Sequence, residues 1–140
     1  MQPLEHFILP ETLAALIRTA LDEDIGPGDA TVNAVIPAGS RSRARLVAKE
    51  EGIVCGLPVF AQVFSMLDPA VVCTPLKQEG VRVHQAETVA TLDGPSRALL
   101  TGERTALNFL GRLSGIASKA ARYAALTAGR HLTILDTRKT

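Results

Sequence analysis

Apolar side chains recur with helical spacing in three stretches of the chain. In residues 11–22, Leu, Ile and Ala return every three or four positions directly after a proline, which predicts a helix. Residues 58–67 have the same spacing and predict a second, shorter helix. Residues 96–128 predict one long helix or two, with a possible break at Ser114 and Gly115. Glycine and proline in residues 23–31 predict a turn-rich break after the first helix.

Four other stretches have the composition or alternation of strands. Residues 42–54 alternate small apolar and basic side chains, which predicts a half-exposed strand. Residues 71–75 and 81–92 are rich in valine and threonine, and Asp-Gly-Pro at 93–95 is predicted to close them. The sequence Leu-Thr-Ile-Leu at 132–135 predicts a buried strand.

The order of these elements indicates how the chain is organised. A long helix that leads into one apolar strand is the opening of an α/β architecture. One strand alone cannot pair its own edges or bury both of its faces. We therefore expect the architecture to continue beyond residue 140.

Charge is distributed unevenly, although the net charge is only +1. Residues 1–96 hold 7 Lys and Arg against 12 Asp and Glu, a net of −5, and residues 97–140 hold 8 against 2, a net of +6. A basic segment attracts phosphates, carboxylates, nucleic acid or acidic proteins. The basic segment offers only Phe109 and Tyr123 for base stacking, so a small polyanion fits better than nucleic acid.

Composition restricts the class of protein further. At 140 residues and 46% hydrophobic, the chain has the length of one ordinary domain. Cys55 and Cys73 lie in apolar contexts, which indicates buried thiols in a reducing compartment. No apolar run approaches the roughly 18 residues of a membrane span, and the N-terminus lacks the features of a signal peptide. We expect a cytoplasmic protein without a membrane span.

Polar residues along one side of the long helix are the first candidates for chemistry. They are spaced 7, 4, 4 and 7 positions apart, which places them on one side of a helix: Arg97, Arg104, Asn108, Arg112 and Lys119. They can form the solvated face of an amphipathic helix. Alternatively, one or two guanidinium groups bind a carboxylate or phosphate through two hydrogen bonds.

A second candidate follows the last predicted strand, in the sequence Asp-Thr-Arg-Lys-Thr at 136–140. Ligands of open α/β sheets and barrels bind at the carboxyl ends of strands. Arg138 and Lys139 would there present a guanidinium and an ammonium group to an anion. A basic tail without a ligand explains the same residues equally well.

Metal sites are poorly supported by the sequence. Asp22, Glu23, Asp24 and Asp29 are clustered, and clustered carboxylates can hold Mg²⁺. Helix termination and turn capping explain them more simply. The three histidines and two cysteines show no zinc spacing.

Three motifs together resemble the signature of the quinolinate phosphoribosyltransferase family. They are Glu-Arg-Thr-Ala-Leu-Asn-Phe-Leu at 103–110, Leu-Ser-Gly-Ile-Ala at 113–117 and Asp-Thr-Arg-Lys-Thr at 136–140. Earlier matches lie at 23–31 and in Glu-Gly-Ile-Val-Cys-Gly at 51–56. The resemblance covers nearly the whole chain.

The resemblance implies an α+β fold for residues 1–112, in the form of an open-faced β-sandwich with flanking helices and the long helix. It implies that residues 113–140 begin a C-terminal α/β barrel, of which only the first strand is present. The family works as a homodimer or a larger assembly, such as a hexamer, with active sites shared between subunits.

The resemblance also assigns roles to four residues. Arg104 matches an arginine that reaches into a neighbouring subunit's site and binds a substrate carboxylate. Arg138 matches a second quinolinate-binding arginine, and Lys139 matches a catalytic lysine that lines the quinolinate and phosphoribosyl site. Thr137 belongs to the same substrate-binding loop.

The implied reaction transfers a phosphoribosyl group from phosphoribosyl pyrophosphate to quinolinate, with release of pyrophosphate and CO₂, in NAD biosynthesis. Mg²⁺ is implied as a cofactor bound to the pyrophosphate, without a protein ligand assignable in this chain. Because the family's later barrel residues are absent, we expect residues 1–140 alone to be catalytically inactive.

The chain departs from the family pattern at two places within the resemblance. Ser118 stands where threonine is usual, and Gln85 with Ala86 replaces a glycine-containing turn, which predicts an altered hairpin geometry. Neither change touches the implied chemistry.

Other functions remain open at the level of sequence. A paralogue associated with molybdenum transport would use another phosphoribosyl acceptor. A biotinyl or lipoyl carrier is disfavoured, because residues 78–96 contain no lysine to modify. A non-enzymatic domain could dimerise through a helix face containing Gly111 and Gly115.

Overall fold

The computed structural model of the protein describes residues 8–130 and 132–135. Four helices and five strands occur in this part of the chain, and helices and strands are mixed as the predicted α+β fold requires. Their bounds are α1 (Pro10–Ile25), α2 (Ala30–Val35), β1 (Arg41–Val47), β2 (Gly52–Ile53), α3 (Leu57–Leu67), β3 (Val72–Pro75), β4 (Arg82–Val83), β5 (Thr88–Pro95) and α4 (Ser96–Thr127).

Helix α1 confirms the first predicted helix and extends it to Ile25. Leu13, Ile17 and Leu21 are buried at intervals of four residues, so one face of the helix packs on the core. The predicted break after it is shorter than expected, because residues 30–35 form α2. The carboxylate of Asp29 caps α2 by accepting a hydrogen bond from the Val32 N–H at 2.9 Å.

The strands form two antiparallel sheets. In the larger one the order is β1-β5-β3, with Arg41 opposite Pro95 and Val72 opposite Asp93. The smaller sheet pairs β2 with β4. The single strand predicted at 42–54 is therefore two strands, since an irregularity between Leu46 and Val47 disturbs the register with β5.

The β-rich region ends at Asp-Gly-Pro 93–95, as predicted, but these residues are the last part of β5. Asp93 accepts hydrogen bonds from Arg41 and Arg43 of the neighbouring strand, both at 2.8 Å, and these arginines lower the pKa of its carboxyl group. Gly94 lets the strand pass close to Val71, since a Cβ at this position would lie 2.9 Å from the Val71 Cα atom. A tripeptide whose composition is typical of turns is therefore part of a strand here.

The turn before β5 explains one departure from the family pattern. Ala86 has a φ of 68°, the left-handed conformation that usually requires glycine. Its N–H donates to the carbonyl of Ala48 at 2.8 Å, and the Glu87 carboxylate accepts from the His84 N–H at 2.9 Å. Ala86 therefore adopts a backbone conformation that glycine takes with less strain, and the predicted change of hairpin geometry stays a prediction.

The hydrophobic core lies between the larger sheet and the helices. Ile17 and Val63 are fully buried, and the rings of Phe60 and Phe64 meet edge to face with centroids 5.2 Å apart. Helix α3, which confirms the prediction at 58–67, packs on α4 where Gly102 leaves room for the Phe64 ring. This contact fixes the first half of α4 against the domain.

Helix α4 is one unbroken helix of 32 residues, so the possible break at Ser114 and Gly115 does not occur. The Ser114 hydroxyl accepts from the Cys55 N–H at 3.0 Å and donates to its carbonyl at 3.1 Å. One turn later the Ser118 hydroxyl accepts from the Ile53 N–H at 2.8 Å. A threonine at 118, usual in the family, would carry the same hydroxyl.

The buried strand predicted at 132–135 is wrong for this structure. These residues have no regular secondary structure, and Leu132, Ile134 and Leu135 are exposed. The two sheets use only strands from residues 41–95, so within the described residues no strand pairs with this segment. Among the described helices, none is long and apolar enough to cross a membrane.

Candidate substrate-binding surface on the long helix

The basic side of α4 separates into side chains with different environments. Arg97 binds the C-terminal end of α2, because its Nε and Nη2 atoms donate to the Ile36 carbonyl at 2.9 and 2.7 Å. Its Nη2 atom also donates to the Asn33 carbonyl at 3.2 Å. These bonds satisfy carbonyl groups that a helix end leaves without partners. Arg97 is therefore a structural residue and not a ligand-binding one.

Arg104 lies two turns further along α4 and points outward. Its side chain is 77% exposed, and its Nη1 atom is 2.8 Å from an oxygen of Asp24 in the last turn of α1. The other oxygen of Asp24 accepts from the Thr105 hydroxyl at 3.3 Å. Asp24 itself is only 18% exposed. An exposed guanidinium group is thus attached to a largely covered carboxylate.

A shallow groove of about 310 Å³ lies beside this ion pair, between α1 and α4. It is lined by Ala20, Glu23, Asp24, Thr105, Asn108, Phe109 and Arg112. Of the five predicted side chains, the structure therefore brings Arg104, Asn108 and Arg112 to one region. Lys119 lies about 22 Å from Arg104 along the helix, and Arg97 is directed to α2.

A larger groove of about 510 Å³ opens between β1 and α4. Its floor is apolar and includes Phe60, Leu92 and Leu99, although arginines of β1 stand at its edge. Volume alone favours this groove as a ligand site. The α1–α4 groove is the better candidate for an anion, because an outward-pointing arginine and the polar side chains of Asn108 and Arg112 lie there together.

The acidic loop does not form a metal site within residues 8–130 and 132–135. No group of three or more His, Cys, Asp or Glu side chains converges there in a way that could hold a metal ion. Asp29 caps α2 and Asp24 binds Arg104, while Asp22 and Glu23 are exposed. The capping explanation is confirmed for Asp29, and the ion pair of Asp24 is a role that the sequence did not indicate.

The second candidate motif cannot be placed. Thr137, Arg138 and Lys139 lie outside the described residues, so the structure does not test their predicted substrate-binding and catalytic roles. His84 is described and is a surface residue, with its Nδ1 atom 3.9 Å from a carboxylate oxygen of Glu51.

The side chain of Glu79 has a structural role at the start of α3 that was not expected from the sequence. The Glu79 carboxylate accepts hydrogen bonds from the backbone N–H groups of Gly56 and Leu57, at the start of α3. A carboxylate at a helix N-terminus is favoured by the helix dipole. Burial raises the pKa of the neighbouring Cys55 thiol, and the charge of Glu79 raises it further. Cys55 and Cys73 are both free and partly buried.

Comparison with known proteins identifies the family. A family model described as quinolinate phosphoribosyl transferase, N-terminal domain, matches residues 29–114. The chain belongs to this family. The match includes β1 to β5 and the half of α4 that carries Arg104.

Curated relatives carry names that agree with this assignment. A protein of Synechocystis, named probable nicotinate-nucleotide pyrophosphorylase (carboxylating), is 43% identical over 120 residues, which are 86% of this chain and 40% of the relative. A protein of Bacillus subtilis with the same name is 42% identical over 119 residues, or 84% of this chain and 40% of the relative. The chain thus spans about 40% of the length of these relatives.

Solved structures show the same fold. NadC from Streptococcus pyogenes superimposes with a TM-score of 0.89 at 36% identity, covering 95% of this chain and 48% of that one. The nicotinate-nucleotide pyrophosphorylase of Francisella tularensis gives 0.88 at 31% identity, covering all of this chain and 50% of that one. These similarities confirm the predicted fold class. The predicted domain division at residue 112 falls within the continuous helix α4 and stays a prediction.

Proposed function

We propose that this chain forms the N-terminal part of a carboxylating nicotinate-nucleotide pyrophosphorylase, a pentosyltransferase that converts quinolinate to nicotinate mononucleotide. The observation that carries the proposal is the outward-pointing guanidinium of Arg104, on a helix within the segment that matches the family. The names of the relatives favour this function over the paralogue with a different acceptor.

Arg104 is proposed to bind a carboxylate of quinolinate. Its side chain is largely exposed, and Asp24 contacts only its Nη1 atom. The Nε and Nη2 atoms accordingly offer an edge whose geometry matches a carboxylate. Thr137, Arg138 and Lys139, which follow α4 in sequence, are proposed to complete substrate binding, with Lys139 next to the reacting groups.

The chemistry requires orientation and charge stabilisation and no protein nucleophile. The quinolinate ring nitrogen forms a bond to the anomeric carbon of the ribose, and the bond from that carbon to pyrophosphate breaks. The bond between ring carbon 2 and its carboxylate then breaks, CO₂ leaves, and a proton takes its place. Positively charged side chains favour this sequence by holding two anionic substrates in contact.

Three further features belong to the proposal. Mg²⁺ would bind the pyrophosphate group and neutralise the charge of this leaving group. The exposure of the Arg104 side chain at the surface of the chain supports a homo-oligomer, dimer or hexamer, in which Arg104 contributes to a site shared between subunits. A cytoplasmic location is proposed because Cys55 and Cys73 are free and partly buried, as thiols of a reducing compartment are.

The proposal is tested with the complete reading frame that contains this chain. We expect CO₂ release that depends on both quinolinate and phosphoribosyl pyrophosphate, and no turnover of nicotinate as acceptor. Arg104→Ala should lower kcat/KM for quinolinate by about 100-fold, the scale of a lost hydrogen-bonded charge pair of about 2–3 kcal/mol. Arg18→Ala, which removes an exposed arginine of α1, is the matched control. Absence of quinolinate turnover by the wild type would refute the proposal.

A further inference from the structure

The Arg104–Asp24 pair differs from the other arginine ion pairs of the described residues. In the pairs of Arg41 and Arg43 with Asp93 and of Arg82 with Glu51, the arginines are 54–88% exposed and the acidic partners are 41% and 55% exposed. In the Arg104–Asp24 pair the arginine is 77% exposed, whereas the aspartate is only 18% exposed. Exposed pairs fluctuate and are screened by solvent. When one partner is covered, its carboxylate is held by the surrounding residues, and the exposed arginine is bonded to a group that does not move.

Asp24 is itself held in place by a second bond. One carboxylate oxygen accepts from the Arg104 Nη1 atom at 2.8 Å, and the other accepts from the hydroxyl of Thr105 at 3.3 Å. Thr105 is buried, so its hydroxyl is fixed by the packing of α4 on the core. The carboxylate therefore cannot rotate without loss of a bond to one of two consecutive residues of the same helix.

We propose that Asp24 is a positioning residue, which holds the guanidinium of Arg104 in the orientation that receives a substrate carboxylate. This inference rests on the proposed function. Among the described residues, Asp24 is the only hydrogen-bond acceptor for Arg104, and it engages one of the five N–H donors. The Nε and Nη2 atoms have no hydrogen-bond partner among the described residues, on a side chain that is 77% exposed.

The charge of Asp24 does not cancel this role. A ligand that arrives from solvent meets the exposed guanidinium before the covered carboxylate, because the guanidinium lies on the outer side of the pair. Preorganisation of a long side chain strengthens ligand binding by reducing the conformational entropy lost on association. The aspartate is therefore proposed to favour substrate binding by holding Arg104 in position, without contacting a reacting atom.

The experiment is a double-mutant cycle in the complete reading frame, with Asp24→Asn and Arg104→Ala made separately and together. Asp24→Asn should raise the KM for quinolinate about 3- to 10-fold, the scale for immobilising one long side chain, with kcat changed less than about 2-fold. The same substitution in the Arg104→Ala background should leave that KM unchanged or lower it, since no guanidinium remains to be positioned.

Two controls separate positioning from stability. Glu11→Gln neutralises an exposed carboxylate in the first turn of α1, which does not line the groove between α1 and α4, and should leave the KM unchanged. The KM for phosphoribosyl pyrophosphate should not respond to Asp24→Asn. Crystal structures should show one guanidinium orientation in the wild type and several in the Asp24→Asn variant.

The outcomes distinguish the inference from the function on which it rests. If the wild type turns over quinolinate but Asp24→Asn raises its KM equally in both backgrounds, or leaves it unchanged in the wild type, the positioning role is refuted alone. If Arg104 keeps its orientation in the Asp24→Asn crystal, the positioning role is also refuted. A wild type without quinolinate turnover removes the proposed function and this inference with it.

Discussion

The two halves of α4 belong to one continuous helix but are held in different ways. From residue 96 to 110 the helix buries one face against the core, through Ser96, Leu99, Gly102, Thr105, Ala106 and Leu110. From residue 111 to 127 no position is buried. The partly buried Leu113 packs against the core near Gly56, and the hydroxyl groups of Ser114 and Ser118 form hydrogen bonds with Cys55 and Ile53. The same secondary structure is thus stabilised by an extensive buried face in one half, and by one partly buried leucine and two serine hydroxyl groups in the other.

Glycines in the two halves make the difference testable. At Gly102 a Cβ atom would lie 2.8 Å from the Leu67 Cδ1 atom and 3.0 Å from the Phe64 ring. At Gly111 and Gly115 a Cβ would meet nothing within 4 Å. Glycine is needed in the first half for close packing, whereas in the second half it only lowers helix propensity.

The largest effect is expected for Gly102→Val. The added side chain overpacks the contact between α3 and α4, so the free energy of unfolding should fall by about 3 kcal/mol. Gly111→Val is the matched control, and its effect should stay within about 0.5 kcal/mol because helix propensity is nearly balanced. Both values come from denaturant titration. Equal losses at the two positions would contradict the comparison.

A smaller effect is expected for Ser114→Ala in the second half. The substitution leaves the N–H and carbonyl of Cys55 without their hydroxyl partner, so it should cost about 1 kcal/mol. Ser65→Ala, which removes an exposed hydroxyl of α3 bonded to Gln62, should cost almost nothing. Faster hydrogen exchange at the Cys55 N–H is a local readout. If exchange there stays unchanged, the second half is not held by this serine.

The sequence predicted elements more reliably than it predicted contacts. The periodic burial of Leu13, Ile17 and Leu21 is local information, and the three predicted helices are confirmed for that reason. The strand at 132–135 was predicted from apolar composition alone, although a strand depends on partners elsewhere. Asp-Gly-Pro at 93–95 has the composition of a turn, but pairing with β1 makes it part of β5.

In the candidate site, too, the sequence predicted which residues share a face but not which contacts they make. Arg97 and Arg104 occupy equivalent positions in the helical pattern, yet Arg97 binds the end of α2 and Arg104 points to solvent. Their partners, Ile36 and Asp24, lie 61 and 80 positions away in the sequence. Spacing along one helix indicates which side chains share a face. It does not indicate which of these side chains is already bonded to another helix or strand.

The smallest effect is expected for Gly115→Ala, and it decides what the second half of α4 faces. In a helix surrounded by solvent, alanine should raise the free energy of unfolding by about 0.5–1 kcal/mol relative to glycine. If Gly111 and Gly115 instead allow a second copy of the helix to approach closely, the added methyl group should weaken self-association. Denaturant titration measures the first quantity and sedimentation velocity the second. If stability rises and self-association is unchanged, these glycines do not lie in a contact between subunits. If the Gly115→Ala variant dissociates, glycine allows close packing in the exposed half of the helix, as Gly102 does in the buried half.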